Sequence, residues 1–269
     1  MFLDALYAGT SGMINQKDEW EKSLADLACW VAAPLSREIV ASQIPRRLRR
    51  TMGRASQMAF LASTEAFRRA GFEDLTGLPP MGISFGSTLG GVDAMEAFFR
   101  ARFEDHAIGG LPSGLFLQVM SHTCAANLSQ AFSIRGRLIS PNCACASASQ
   151  AIIYATEAIR NGSEEMMLCG GADECGVLAS ASFDLLQAST TAFNENPTQT
   201  PRPFDKERDG TATGEGAGAL VLESKEHALA RGATILAEVE GFATNCDGNH
   251  IVQPDAESVS ECMDQALDD

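Results

Sequence analysis

One cysteine sits where an apolar run gives way to small residues and then to a helix-like segment, in SPNCACASASQAIIYATEAIRNG over 140–162. That residue is Cys145. On a strand-to-helix turn a thiol projects from the end of a sheet. The first backbone N–H groups of the following helix have no partner within it, and they stabilise negative charge on a thiolate or on an oxyanion beside it. The neighbours Ala144, Ala146, Ser147 and Ala148 are small and leave room for an acyl chain bonded to sulfur. The chemistry this suggests is nucleophilic attack with a thioester intermediate. Spacing alone also fits, and in an arbitrary sequence favours, a small buried core cysteine.

The other reactive residue types are less suggestive. Eight cysteines, at 29, 124, 143, 145, 169, 175, 246 and 262, are scattered through a chain too long and too apolar to depend on a disulfide framework. Reduced thiols are expected. The single C-x-C, Cys143 with Cys145, has no His or second pair at zinc-finger spacing, so no metal is expected. Of the four histidines, His122 beside Cys124 in MSHTCAAN invites a Cys–His dyad, whereas His227 and His250 read as solvated or loop-bracing groups. Asp205 and Arg208 read as a charge-assisted brace within a loop. The stretch GEGAGAL (214–220) does not fit a phosphate loop, and close backbone packing is the expected reason for its glycines.

The chain carries 20 basic and 35 acidic side chains, a formal charge of -15, which argues against general affinity for nucleic acid. RRLRR (46–50) reverses that sign locally, either as a solvated helix start or as a dock for an acidic partner. No apolar run reaches the roughly 18 residues of a membrane helix, and no basic secretory start is present. A cytoplasmic protein with no membrane contact is expected.

Positioning the thiol requires alternating helices and apolar strands. Residues 53–71 predict an amphipathic helix with Met58, Leu61, Ala62 and Phe67 on its stripe and a glycine at its end. MGISFGS (81–87) and EMMLCGG (165–171) predict buried strands, LISPN (138–142) is strand-like, and VDAMEAFFRARFE and 146–162 predict helices. A long polar loop over 190–213, holding three of the ten prolines, is a candidate rim of the site. AGALVLES predicts a strand, KEHALARG a short helix, ATILAEVEGFAT a long strand and ESVSECMDQALDD a final helix. The pattern implies α/β layers, and one large domain, or two tightly fused ones, is expected over 1–269.

CASASQAI (145–152) resembles the active-site signature C-A-S/T-x-x-x-A-I of β-ketoacyl synthases. AIRNGSEEMMLCGGADE and RPFDKERDGTATGEGAG resemble two further blocks of that family, in the same order. The resemblance runs from LYAGTSGM to DGNHIVQP. It implies a thiolase-like three-layer α/β/α fold, the N-terminal half of a duplicated arrangement, with Cys145 as the acylated nucleophile and its N–H in the oxyanion hole. It further implies acyl carrier protein as partner, with Arg47 and Arg50 at the basic positions that contact it, and a homodimer or pairing with a complete synthase subunit. No cofactor is implied. The family's two histidines and lysine belong to motifs this sequence does not contain, and the family's first strand precedes LYAGTSGM. The resemblance therefore implies an incomplete chain with an unpaired position in the middle of its sheet. Thr211 and Cys143 depart from the residues usual in relatives. A condensing acyltransferase of fatty acid or polyene-type chain synthesis, a non-catalytic carrier- or subunit-binding module and an inert fragment all remain open.

Overall fold

A computed structural model describes residues 2–269, apart from the side chains of Phe2 and residues 37–39. Among the described residues seven strands, β1 (Ile14–Asn15), β2 (Val31–Ala33), β3 (Gly82–Gly86), β4 (Leu138–Ile139), β5 (Met166–Asp173), β6 (Thr213–Gly214) and β7 (Gly216–Glu223), form two sheets. The larger has the order β4-β3-β5-β7, with β3, β4 and β5 parallel and β7 antiparallel to β5. The smaller has the order β1-β2-β6. Among the described residues six helices reach nine residues or more: α1 (Arg54–Arg69), α2 (Val92–Arg100), α3 (Thr123–Ala131), α4 (Ser147–Arg160), α5 (Val177–Leu185) and α6 (Ala256–Asp268).

The apolar run of β5 explains the layering. Successive strand residues point to opposite faces. Met166 and Leu168 join Ala55, Ala59 and Phe67 of α1 and Cys124, Ala125 and Leu128 of α3 in the main core. Met167 and Cys169, one residue out of phase, pack on Ala155 and Ala158 of α4 instead. A strand apolar on both faces is what a sheet covered on both sides requires. The result is the expected α/β/α sandwich, and the small sheet is buttressed by its own cluster of Trp20, Leu27, Trp30 and Cys175.

Glycines set the spacing of the α4 layer. Gly86 of β3 and Gly171 of β5 are register partners. A Cβ on Gly86 would lie 2.4 Å from the Ser147 carbonyl oxygen, and one on Gly171 would lie 2.6 Å from the Ala148 Cβ. Only with both side chains absent does the first turn of α4 rest on the backbone of the sheet.

Several expectations need correction. The buried stripe of α1 runs through Ala55, Ala59, Ser63 and Phe67 together with Met58, while Leu61 and Ala62 are only half-buried. Gly71, at φ +89°, follows α1 as expected, because the Phe72 N–H reaching back to the Phe67 carbonyl needs a left-handed residue there. The sheet has no unpaired position in its middle: β3, β5 and β7 are contiguous, and β7 forms the edge. Close packing is not the reason for Gly216 and Gly218, since a Cβ at either would meet no atom within 4 Å. Residues 233–244 form no strand. Their alternation suits one, but a strand exists only through a hydrogen-bonded neighbour. The segment is held instead by side chains, with Arg160 bonded to the Glu240 carbonyl and Gln150 to Thr244.

A buried ion pair ties the layers. Arg54, first residue of α1, pairs with Glu215 between β6 and β7, their side chains 8% and 2% exposed. Glu215 also accepts the N–H groups of Leu35 and Cys175. Burial raises the Glu215 carboxyl, but the hydrogen bond from Arg54, the Leu35 N–H and the Arg54 charge outweigh it and hold the group below the usual carboxylate range. Its contribution is therefore present at neutral pH and lost as pH falls through the carboxylate range. Glu215→Ala should cost about 3–5 kcal/mol at neutral pH, because it strands the Arg54 charge. It should also flatten the acid limb of the stability curve. Urea unfolding across pH reads both, and an unchanged midpoint would rule out a stabilising role for the pair. Gly86→Ala should cost about 1–3 kcal/mol by overpacking and should alter the rate at which Cys145 reacts with a thiol reagent. Wild-type stability and reactivity in that variant would refute the glycine seat.

Candidate active site

The turn before α4 is built from its own backbone. The Cys143 carbonyl accepts from the Ala146 N–H at 3.1 Å, and the Ala144 carbonyl accepts from the Ser147 N–H at 3.1 Å. Ala144 lies in the left-handed region at φ +49°. A non-glycine residue persists there only where its surroundings hold it. The Ser147 hydroxyl supplies part of that hold, donating to the Ala144 carbonyl at 2.7 Å and accepting the Cys143 N–H at 2.9 Å. Asn142 donates to the carbonyls of Ser87 and Thr88, and Ser140 donates to that of Phe85. The loop after β3 is pinned in turn by Asp173 at the end of β5. That carboxylate accepts Ser87 Oγ at 3.0 Å, Thr88 N at 2.6 Å and Thr88 Oγ1 at 2.9 Å. The anchoring roles of Ser147, Asp173 and Thr88 were not foreseen from the sequence. A polar residue at the carboxyl end of a buried strand, as in GGAD, was the available signal.

Cys145 therefore stands at the carboxyl end of the parallel strands, two residues ahead of a 14-residue helix. It is an exposed free thiol, and Cys143, Ala144, Ala146 and Ala148 around it are exposed too. The alternative of a buried structural cysteine does not apply to it. That description fits Cys124 and Cys169, whose thiols burial pushes up to about 12. The His122–Cys124 dyad is not formed: Cys124 is 1% exposed and accepts from the Ser56 hydroxyl at 3.8 Å, while His122 is exposed at the start of α3. His227 shares the Glu223 carboxylate with Arg231 through Nδ1 at 2.7 Å, and His250 accepts the N–H groups of Val252 and Gln253, both bracing roles. Arg208 braces Asp205 as expected, donating to its carbonyl at 3.0 Å, and the Asp205 carboxylate takes Arg202 at 2.7 Å as well. The 190–213 loop bonds to Asn15, Ala28 and Trp30 through Asn194, which anchors it to the small sheet.

Arg47 and Arg50 are exposed on and just after a short helix, Arg46–Arg49. Behind them a cleft of about 350 Å³ is lined by Arg49, Arg54, Gln118 and Glu174, and a second of about 660 Å³ lies beside Trp20, Arg100 and Cys175. Neither is lined by Cys145. Glu174 accepts the N–H groups of Asp93 at 2.8 Å and Ala55 at 3.3 Å, capping α2 and α1 together, and burial pushes its carboxyl up to about 7. Among the described residues no His, Cys, Asp and Glu side chains gather as a metal site, and no helix is long and apolar enough to cross a membrane.

Comparison with known proteins gives the same chemistry a context. A protein-family model described as the β-ketoacyl synthase N-terminal domain matches residues 2–228. The 3-oxoacyl-[acyl-carrier-protein] synthase 1 of Haemophilus influenzae is 32% identical over 228 residues, 84% of this chain and 56% of its own length. Nodulation protein E of Rhizobium meliloti is 37% identical over 229 residues, 84% of this chain and 55% of its own. A β-ketoacyl synthase from Burkholderia phymatum superposes with a TM-score of 0.90 at 42% identity, covering 99% of this chain and 65% of that structure. The chain thus spans between half and two thirds of the length of these relatives. With the matched model covering most of the chain, the sandwich in agreement with a solved synthase and an exposed cysteine at the signature turn, the chain belongs to the β-ketoacyl synthase family.

Proposed function

We propose that this chain is the cysteine-bearing, N-terminal part of a condensing acyltransferase of fatty acid or polyene-type chain synthesis, and that Cys145 carries the acyl group. The observation that supports this most directly is the placement of Cys145: exposed, among small neighbours, ahead of the first turn of α4. Its sulfur attacks the carbonyl of an acyl thioester, the oxyanion is met by backbone N–H groups that include that of Cys145, and the donor thiol leaves. In the complete enzyme the acyl group then passes to the carbanion formed by decarboxylation of malonyl carrier protein. Residues that polarise the malonyl thioester are, by family resemblance, supplied from outside this sequence.

The donor in this reading is an acyl carrier protein. Carrier proteins are acidic, and Arg47 and Arg50 present positive charge on a chain whose formal charge is -15. Such a patch steers encounter and fixes orientation. A homodimer, or pairing with a complete synthase subunit, and a cytoplasmic location complete the proposal.

Incubation of the folded chain with acyl carrier protein thioester, followed by intact-protein mass spectrometry, should give an acyl adduct that Cys145→Ala abolishes. No adduct on well-folded protein would leave a binding module or an inert fragment as the better account. Arg47→Glu with Arg50→Glu should slow acylation from the carrier on the order of ten-fold at low salt. Acylation from a small acyl thioester should be unaffected. Equal slowing with both donors would remove these arginines from carrier recognition.

A further inference from the structure

Cys143 has no part in the reaction just proposed, yet the turn that presents Cys145 presents it too. Both thiols are free and exposed. Two residues of chain span at most about 7 Å between their Cα atoms even when extended, and here the chain is folded. The 3.1 Å bond from the Ala146 N–H to the Cys143 carbonyl closes a turn around a left-handed Ala144. That places the two Cα atoms within the separation a disulfide tolerates. The anchoring of the turn by Ser147, which bonds to both Cys143 and Ala144, keeps the pair together. No large side chain intervenes, since Ala144 is the only residue between them.

We propose that Cys143 is a resolving thiol for Cys145, so that a peroxide closes a reversible Cys143–Cys145 disulfide in place of irreversible oxidation of the nucleophile. The Cys145 thiolate attacks one oxygen of the peroxide; an S–O bond forms, the O–O bond breaks, and water or an alcohol leaves. The Cys143 thiolate then attacks the sulfenic sulfur; the S–S bond forms, and the hydroxyl leaves as water. Two thiols lose two electrons and one peroxide gains them. A dithiol reductant reverses the bond by thiol–disulfide exchange and restores the free nucleophile. Without a neighbour, a sulfenic acid is open to a second peroxide and the sulfinic stage, from which thiols do not recover it. The inference rests on Cys145 being the reactive thiol of the proposed function, but its readout does not depend on acyl transfer.

Trypsin cleavage after Arg137 and Arg160 yields a peptide, 138–160, that contains these two cysteines and no other. After brief treatment of the folded chain with hydrogen peroxide, that peptide should be lighter by two hydrogens, and a dithiol should restore its mass. In Cys143→Ser the same peptide should instead gain two oxygens on Cys145 and fail to recover. The exposed Cys246 should oxidise alike in both proteins and serves as the internal control. Where Cys145 takes up acyl groups, acylation should be lost on oxidation and return with the dithiol in the wild type alone. Sulfinic Cys145 in the wild type at the rate seen in the variant, with no internal disulfide in 138–160, would overturn the inference, and so would a disulfide mapped to any other pair. A mapped Cys143–Cys145 bond in a protein that never acylates would uphold the inference and count against the acyl-enzyme reading.

Discussion

How near the first turn of α4 comes to the large sheet is decided by Gly86 and Gly171, paired across β3 and β5. Each faces the helix where any side chain would collide with it, the one against the Ser147 carbonyl and the other against Ala148. Everything chemical about the site follows from that contact. With the turn lowered onto the strand ends, the loop after β3 comes within hydrogen-bonding reach of Asn142, and the Thr88 hydroxyl lies 3.2 Å from the Ala144 carbonyl. Ala144 is then held in a conformation it would not choose alone, with exposed Cys143 and Cys145 on either side of it.

The buried charges serve the scaffold. Glu174 meets the N-terminal N–H groups of two helices at once, which offsets part of the cost of removing a carboxylate from water. Arg54 reaches Glu215 and the Leu35 carbonyl, joining α1 to the small sheet and to the start of β7. These groups line two clefts, neither of which is lined by Cys145. The Cys145 thiol lies exposed among small neighbours.

The sequence alone was sufficient for the layered α/β class and for most helices, and it singled out Cys145 as the candidate nucleophile. A doubly buried strand such as MMLCGGAD is apolar throughout, and helix stripes repeat every three to four residues, so both are local signals. The cysteine was legible because its neighbours change from apolar to small within a few residues. The arginines at 46–50 stood out as a reversal of sign within an acidic chain.

Tertiary structure decided what depends on partners distant in sequence. The alternation in 233–244 reads as a strand, but pairing depends on an available edge, and the segment is held by Arg160 and Gln150 of α4 instead. Asp205 bonds to Arg202 through its carboxylate as well as to Arg208 through its carbonyl, although both arginines stand three residues away, because the loop turns Arg202 toward the carboxylate. The burial of Cys124 beside an exposed His122 could not be known until α3 was placed on the sheet. The roles of Gly86, Gly171, Asp173 and Ser147 arise only when β3, β5 and α4 meet, since a hydrogen bond or a steric gap between segments tens of residues apart leaves no periodic trace in either segment.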